Sequence, residues 1–292
     1  MPSTRDIRRR IKSVKNTAQI TKAMQMVAAA KMRKAQQAAL VGRPYAQLLN
    51  EIMAEAATRT VGFDHPLMQS RPVGKRALVV VGTDRGLCGA LNGNLFREAA
   101  KLDKGTTIFV TAGKKAAQFV ARTKRNLAGE FHYKDTPGFA EARAISKFVQ
   151  QMFLKGEVQA VDILFPRFIN TLTQQPQTIS FLPIGQVSAA TAGVNSPAQA
   201  LPAGSATDVF DFEPDEETVL GELLPHSLNF QMHQILLETK ASEQSARMVA
   251  MKNATDNAQQ IIKDLTLEYN KLRQANITKE LLEITTAQMA VG

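Results

Sequence analysis

The chain has 292 residues, long enough for one large domain or two smaller ones to form a core without disulfides or metals. Hydrophobic residues make up 44% and charged residues 21%, a balance typical of a folded protein in water, and no run of about eighteen apolar residues predicts a membrane-spanning helix. The single cysteine, Cys88, excludes an internal disulfide and any cysteine-based zinc site.

The net charge of +10 lies at the N-terminus. Residues 1–45 hold eleven basic residues and one acid, whereas the other residues hold 25 charges of each sign. Three functions use such a segment: nucleic-acid binding, mitochondrial targeting, or contact with acidic protein surfaces. No aromatic residue precedes Tyr45, which disfavours nucleic acid, and the helical pattern continues past residue 40, which disfavours a cleaved targeting peptide. Contact with an acidic partner is therefore the favoured interpretation.

The N-terminal segment is predicted to form a long helix. Ser3 or Thr4, followed by Asp6, is a typical helix start. Residues 23–30 would give a helix that has apolar, mostly small side chains on nearly every face. Such a helix is predicted to be surrounded by protein. Gly42 and Pro44 predict a break, after which an amphipathic helix resumes to about residue 60. Before residue 20, a coiled-coil stripe steps by four, three and four residues through Ile7, Ile11, Val14 and Ala18.

The middle of the chain alternates between strand and helix patterns. Short β-branched runs at 76–82, 106–111, 160–165 and 178–182 predict strands, and 90–102, 114–122 and 139–155 predict helices. This alternation indicates a small α/β domain with a largely parallel sheet. Residues 185–207, rich in Ala, Gly, Ser, Thr and Pro, predict a disordered linker.

The C-terminal segment has the strongest periodicity. A helix from about His226 to Met289 would be ~95 Å long, so it needs a long partner, which the N-terminal helix can supply. The seam steps by four and three through Leu237, Ala241, Gln244, Met248, Met251, Thr255, Ala258, Ile262, Leu265, Tyr269 and Leu272.

The predicted fold class combines α+β and α/β features: a long antiparallel coiled coil of the N- and C-terminal helices, with an inserted Rossmann-like α/β domain. The expected parts are an N-terminal helix over 1–60, the α/β domain over 74–184, a linker over 185–214 and a C-terminal helix over 215–292.

The sequence offers no active site. The glycine-rich turn at 82–92 joins a strand to a helix, but its spacing matches neither a dinucleotide fingerprint nor a P-loop, so a tight turn is favoured over a nucleotide site. The four histidines have no metal-ligand spacing, and Cys88 is expected to be a small buried thiol.

Four segments, in order along the chain, resemble the γ subunit of the F-type ATP synthase: ITKAMQMVAAAKMRKAQ at 20–36, TDRGLCGALN at 83–92, ARMVAMKNATDNA at 246–258 and YNKLRQANITKELLEI at 269–284. The resemblance implies a rotor shaft with no catalytic residue, cofactor or metal. It implies as partners the α3β3 ring, the ε subunit and the ring of c subunits, with no nucleic acid. An α/β nucleotide-binding enzyme and a basic nucleic-acid binder remain as alternatives.

The resemblance also implies contact residues. Apolar residues in the middle of the first helix (Met24, Met26, Val27, Ala28) and near the C-terminus (Leu281, Leu282, Ile284, Met289) are expected to sit in a close-fitting bearing. Lys22, Lys31, Arg33 and Lys34 are expected to face acidic β-subunit segments. Near the C-terminus, the residues expected to contact the β subunit are Arg273, Gln274, Thr278 and Glu280. At the foot of the shaft, beside the c ring, the expected contact residues are Phe210, Phe212, Glu213 and Pro214.

The sequence departs from the family at a few positions. Ala90 stands where a second glycine is usual, and Leu272 and Asn276 replace smaller residues beside Arg273. A regulatory cysteine pair found in chloroplast relatives is absent. Because no transit segment is predicted, we expect a bacterial protein bound peripherally to the cytoplasmic face of the inner membrane.

Overall fold

A computed structural model describes residues 3–59, 65–72, 74–184, 213 and 215–291. The first helix, α1, spans Thr4–Val41, and α2 spans Arg43–Arg59. Ser3 and Asp6 cap α1 reciprocally, with the Ser3 hydroxyl 2.8 Å from the Asp6 carboxylate. The predicted break falls at Gly42, where an added Cβ would lie 2.2 Å from Nε2 at the end of the Gln234 side chain, so a larger residue would require that side chain to move.

The last helix, α6, spans Glu216–Val291 and therefore begins about ten residues before His226, where the periodicity predicts its start. Pro225 lies inside it, and a proline there removes one backbone hydrogen bond. Leu220, Leu224 and Leu228 are almost fully buried at four-residue spacing. Their packing holds this first part of the helix together despite the proline.

The chain forms two compact units, one from residues 1–28 with 247–292 and one from residues 29–246, so each long helix contributes to both. The first unit is a helical pair. Thr21 Oγ1 lies 2.7 Å from Thr255 Oγ1, and Arg8 Nη2 donates to the Tyr269 hydroxyl. The partner's residue number falls as that of α1 rises, so the helices are antiparallel, as predicted.

Burial in the helical pair follows the predicted 4–3 spacing. On α1, Ile7, Thr21 and Ala28 are buried, and Ile11, Val14 and Ala18 are half-buried. On α6, the positions from Met251 to Leu272 that were predicted for the seam are all buried or half-buried, while nearly every residue between them is exposed. The sequence periodicity therefore identifies the coiled-coil seam correctly.

The second unit contains a five-stranded sheet in the order β3-β2-β1-β4-β5. Its first four strands are parallel and β5 is antiparallel to β4, which fits the predicted Rossmann-like domain. In chain order, the elements are β1 (Arg76–Val81), α3 (Leu91–Ala100), β2 (Thr107–Ala112), α4 (Lys114–Arg122), β3 (Leu127–Phe131), α5 (Phe139–Leu154), β4 (Ala160–Phe168) and β5 (Gln174–Leu182).

Both faces of the sheet are covered. Along β1, Val79 packs into a core that includes α5 and apolar side chains of α2 and α6, whereas Leu78 and Val80 pack into a core with α3 and α4. Alternate residues of a strand point to opposite faces, which explains this division. The sheet is therefore held between α3 and α4 on one side and α5 with parts of the terminal helices on the other.

Candidate functional site

The glycine-rich turn between β1 and α3 is tied into the surrounding protein. The Gly82 carbonyl accepts a hydrogen bond from the Tyr133 hydroxyl at 2.6 Å, and the Thr83 hydroxyl accepts one from Asn92 Nδ2 at 2.7 Å. Asp84 Oδ1 accepts from the Lys114 N–H at 3.0 Å, so a first-turn amide of α4 is already capped. These contacts favour the tight-turn interpretation over a nucleotide site.

The described residues contain no cluster of three His, Cys, Asp or Glu side chains able to hold a metal ion. Cys88 is buried, as expected. His226 Nε2 lies 2.7 Å from the Tyr45 hydroxyl, and His233 Nε2 lies 3.2 Å from the Pro137 carbonyl oxygen. The two histidines thus have different polar partners, although both rings contact Phe139.

The outer surface of α1 is basic and apolar. Lys22, Arg33 and Lys34 are exposed, and Met24 is half-buried. Met26 and Val27 are 60% and 55% exposed, so apolar as well as charged side chains of this helix are open to solvent. Ala28 differs from its neighbours: it is 1% exposed because it lies in the seam of the helical pair, so its expected place in a partner's bearing is wrong.

Lys31 is held inside the second unit. Its ammonium lies 2.5 Å from Asp135 Oδ2, in the turn after β3. Hydrogen bonding to Lys31, with the Lys240 charge nearby, lowers the pKa of Asp135 below its ordinary value. An acid of the same chain therefore already faces Lys31.

The C-terminal part of α6 extends past its last close contact with α1. Tyr269 is half-buried, and the Arg8 guanidinium lies 5.4 Å from its ring centroid. All residues from 273 to 286 are exposed, including the expected contact residues Arg273, Gln274, Thr278 and Glu280. Apolar side chains on this stretch and just beyond it are also exposed: Ile277, Leu281, Leu282, Ile284 and Met289.

The expected foot contacts are only partly described. Glu213 is exposed, whereas Phe210, Phe212 and Pro214 lie outside the described residues, as does nearly all of the predicted linker.

Sequence reasoning missed a polar segment of α6 that is buried on every side. Residues 238–245 are all buried, although only Ala241 and Gln244 were predicted to lie in the seam. Lys240 Nζ lies 3.0 Å from Glu243 Oε2 and 3.7 Å from Asp135 Oδ1. The three-residue spacing of Lys240 and Glu243 is the one sequence signal for this pair. Exposed helices carry pairs at the same spacing, so the spacing does not predict burial.

These features define a class: an α/β protein whose paired terminal helices present a basic and apolar outer surface. A family profile described as ATP synthase matches residues 3–291. The chain is 48% identical to the ATP synthase gamma chain of Opitutus terrae and 46% identical to that of Methylacidiphilum infernorum, with full coverage of all three chains. The protein belongs to the ATP synthase gamma chain family.

Solved structures show the same fold at lower identity. A chain from the Euglena gracilis mitochondrial ATP synthase, in an OSCP/F1/c-ring assembly, is similar with a TM-score of 0.68 at 20% identity, over 99% of this chain and 94% of that one. A chain from the central stalk and c-ring of the Tetrahymena thermophila mitochondrial ATP synthase is similar with a TM-score of 0.60 at 23% identity, over 80% of this chain and 99% of that one. None of the helices within the described residues is long and apolar enough to cross a membrane.

Proposed function

We propose that this chain is the central rotor stalk of an F-type ATP synthase, coupling rotation of a proton-driven c ring to the conformational cycle of the catalytic β subunits. The observation that carries the proposal is the unpartnered outer surface of the helical pair, basic on α1 and apolar near the end of α6. Several exposed apolar side chains close together on one helix, as at Leu281, Leu282 and Ile284, are typical of a protein interface.

The chemistry of this surface suits a bearing. Exposed Met26, Val27 and Leu282 offer dispersion contacts without hydrogen-bond direction, so a surrounding sleeve can slide past them. Lys22, Arg33 and Lys34 can attract acidic segments of β subunits. Exposed ion pairs contribute about 0–1 kcal/mol each, so they can guide rotation without stopping it.

The chain itself contributes no catalytic group in this proposal. Its partners are the α3β3 ring around the helices and, at the α/β domain, the ε subunit and the c ring, with Glu213 and the neighbouring Phe210 and Phe212 at the foot. Arg273, Gln274, Thr278 and Glu280 are proposed to meet a β-subunit loop. The protein is placed peripherally at the cytoplasmic face of a bacterial inner membrane.

A charge-reversal experiment tests the contact surface. Lys22→Glu, Arg33→Glu and Lys34→Glu are combined in one variant and compared with Lys104→Glu, Lys114→Glu and Arg122→Glu, which reverse the same charge on exposed residues of the α/β domain. Each variant is reconstituted with α, β, ε and membranes that contain the c ring. Protons pumped per ATP hydrolysed are measured in assembled complexes. The α1 variant is expected to pump fewer, and equal values for the two variants would refute the contact surface.

A second experiment tests the rotor assignment against the enzyme alternative. The purified chain is titrated with ATP in a calorimeter and is also mixed with α and β subunits. Formation of a complex with one copy of this chain, and no heat of ATP binding to the chain alone, is the expected result. ATP binding by the isolated chain without assembly would instead support an α/β nucleotide-binding enzyme.

A further inference from the structure

The polar segment at residues 238–245 of α6 is unlike the rest of the helix. Lys240 and Glu243 are 2% and 3% exposed at their side chains, and Thr239 and Ser242 are fully buried on the intervening faces. Burying an ammonium or a carboxylate is costly unless a partner compensates it. Apolar side chains would be enough if this segment served only to pack. The buried charges therefore indicate that the segment makes contacts that depend on the orientation of the helix.

The partners of Lys240 come from different parts of the fold. Glu243 lies on the same helix, whereas Asp135 lies in the turn after β3 and also binds Lys31 of α1. The Lys240 ammonium is also 4.9 Å from the centroid of the Tyr133 ring. Two ammonium groups and two carboxylates thus join α1, the turn after β3 and α6.

Tyr133 connects this cluster to the sheet. Burial raises the pKa of its phenol well above the ordinary value, with Glu243 and Asp84 adding to the shift, so the hydroxyl keeps its proton. That hydroxyl donates to the carbonyl of Gly82 at the end of β1. A continuous series of directional contacts therefore runs from the central strand of the sheet to Lys240.

We propose that Lys240, held by Glu243 and Asp135, is a positioning residue that fixes the rotational setting of α6 against the α/β domain and so carries torque between them. The torque-carrying role rests on the function proposed above. Apolar side chains in a groove tolerate small rotations of a helix because dispersion has little directionality. The contacts of the buried Lys240 ammonium with Asp135 and with the Tyr133 ring cross from α6 to the turn after β3, so they lose their geometry on such a rotation and resist it. The pair with Glu243 lies within α6 and turns with the helix, so its part is to hold the Lys240 side chain in place.

The main test removes both charges of the buried pair with little change in side-chain size. Lys240→Met with Glu243→Gln is compared with Lys101→Met with Glu98→Gln. That control pair is exposed, has the same three-residue spacing, lies 2.8 Å apart and stands at the C-terminal end of α3. Spin labels on cysteines introduced at Ala144 and Glu222, both exposed, report the distance between α5 and α6 in a Cys88→Ser background. The buried-pair variant is expected to broaden the distance distribution at least twofold and the control to leave it unchanged.

Coupling is then measured in the complex reconstituted with α, β, ε and c-ring membranes. The buried-pair variant is expected to hydrolyse ATP at the wild-type rate but to pump at least threefold fewer protons per ATP. A merely structural role would lower the melting temperature and the yield of assembly while leaving that ratio unchanged in assembled complexes. An unbroadened distribution overturns the positioning role, and a broadened one with normal coupling overturns the torque role.

A milder variant keeps the proposal testable if the buried-pair variant does not fold. Asp135→Asn keeps the shape of a side chain that is 58% exposed, so the fold should tolerate it. The distance distribution between the spin labels should broaden again, though less than in the buried-pair variant. An unchanged distribution would contradict the role of Asp135 in positioning α6. If the wild-type chain fails to assemble with α and β, the proposed function fails, while the spin-label experiment still tests the positioning of α6.

Discussion

Thr21 and Thr255 make a buried polar contact in the seam of the helical pair. The two hydroxyl oxygens are 2.7 Å apart, and both residues are buried. Each hydroxyl also faces a carbonyl of its own helix, Ala18 at 3.1 Å and Met251 at 2.9 Å. A hydroxyl has one proton, so one threonine donates across the seam and the other donates within its helix. The perturbation is replacement of either or both threonines by valine, which has nearly the same shape.

The expected magnitude follows from this hydrogen-bond arrangement. Either single change removes the bond between the helices, at a cost of about 1 kcal/mol. Thr21→Val with Thr255→Val removes both hydroxyls and leaves an apolar contact of similar volume, which is nearly neutral. The double variant should therefore be about as stable as the wild type. The interaction free energy in the double-mutant cycle should then have a magnitude of about 2 kcal/mol, because two losses of about 1 kcal/mol each disappear together.

Hydrogen exchange of amides near residues 21 and 255 provides the assay, supported by urea unfolding of the full chain. A loss of 1 kcal/mol corresponds to about a fivefold rise in local opening. Thr17→Val is the control, because Thr17 donates to the Ser13 carbonyl at 3.1 Å but is exposed. Additive effects of the two single changes, or single changes no larger than the control, would refute the reasoning.

Three further predictions concern the α/β domain, each measured by urea unfolding. Burial raises the pKa of Asp162 despite its ion pair with Arg76. The Asp162 carboxyl therefore binds its proton more tightly in the folded than in the unfolded chain, so the free energy of unfolding falls as the pH rises from 3.8 through the raised pKa. Asp162→Asn should remove this fall. Gly113→Ala should cost at least about 2 kcal/mol, because φ is +103° and the new Cβ would lie 2.5 Å from a carbonyl oxygen, whereas Gly93→Ala in open space on α3 should gain about 0.5–1 kcal/mol. Asp84→Ala should cost about 1 kcal/mol by uncapping α4, and no loss would contradict the cap.

Periodicity predicted the elements whose burial depends on a single face. The 4–3 stripe was correct for α1 and for α6 from Met251 to Leu272, because a two-helix seam buries one narrow row and leaves the rest exposed. Before Met251 the predicted seam positions of α6 lie in a stretch with no exposed residue between them. The strand β3 was not predicted. It is a short edge strand with Gly129 at its centre and mostly exposed side chains, so it has neither the alternation nor the β-branched content of a strand signal.

The C-terminal helix expected over 215–292 agrees with the start of α6 at Glu216, whereas the periodicity alone places that start too late, near His226, for a different reason. Gly221 and Pro225 are local signals for the end of a helix, and proline in a helix interior costs about 3 kcal/mol. Leu220, Leu224 and Leu228 each bury a side chain, worth about 1.5–3 kcal/mol apiece, against the second unit. Tertiary packing outweighs the local preference here, and a rule based on neighbours in sequence does not include that packing.

The buried charges on α6 could not be predicted from periodicity, because polar residues in a helix pattern are assigned to the solvent side. Lys240 is buried because Asp135, more than a hundred residues away, lies opposite it. The same acid holds Lys31, so the +10 of the N-terminal segment overstates the charge it offers to a partner. A count of charges cannot separate Lys31 from the exposed Lys22, Arg33 and Lys34, yet their surroundings give them opposite roles. The exposed cations can meet a partner, whereas Lys31 joins two parts of its own chain.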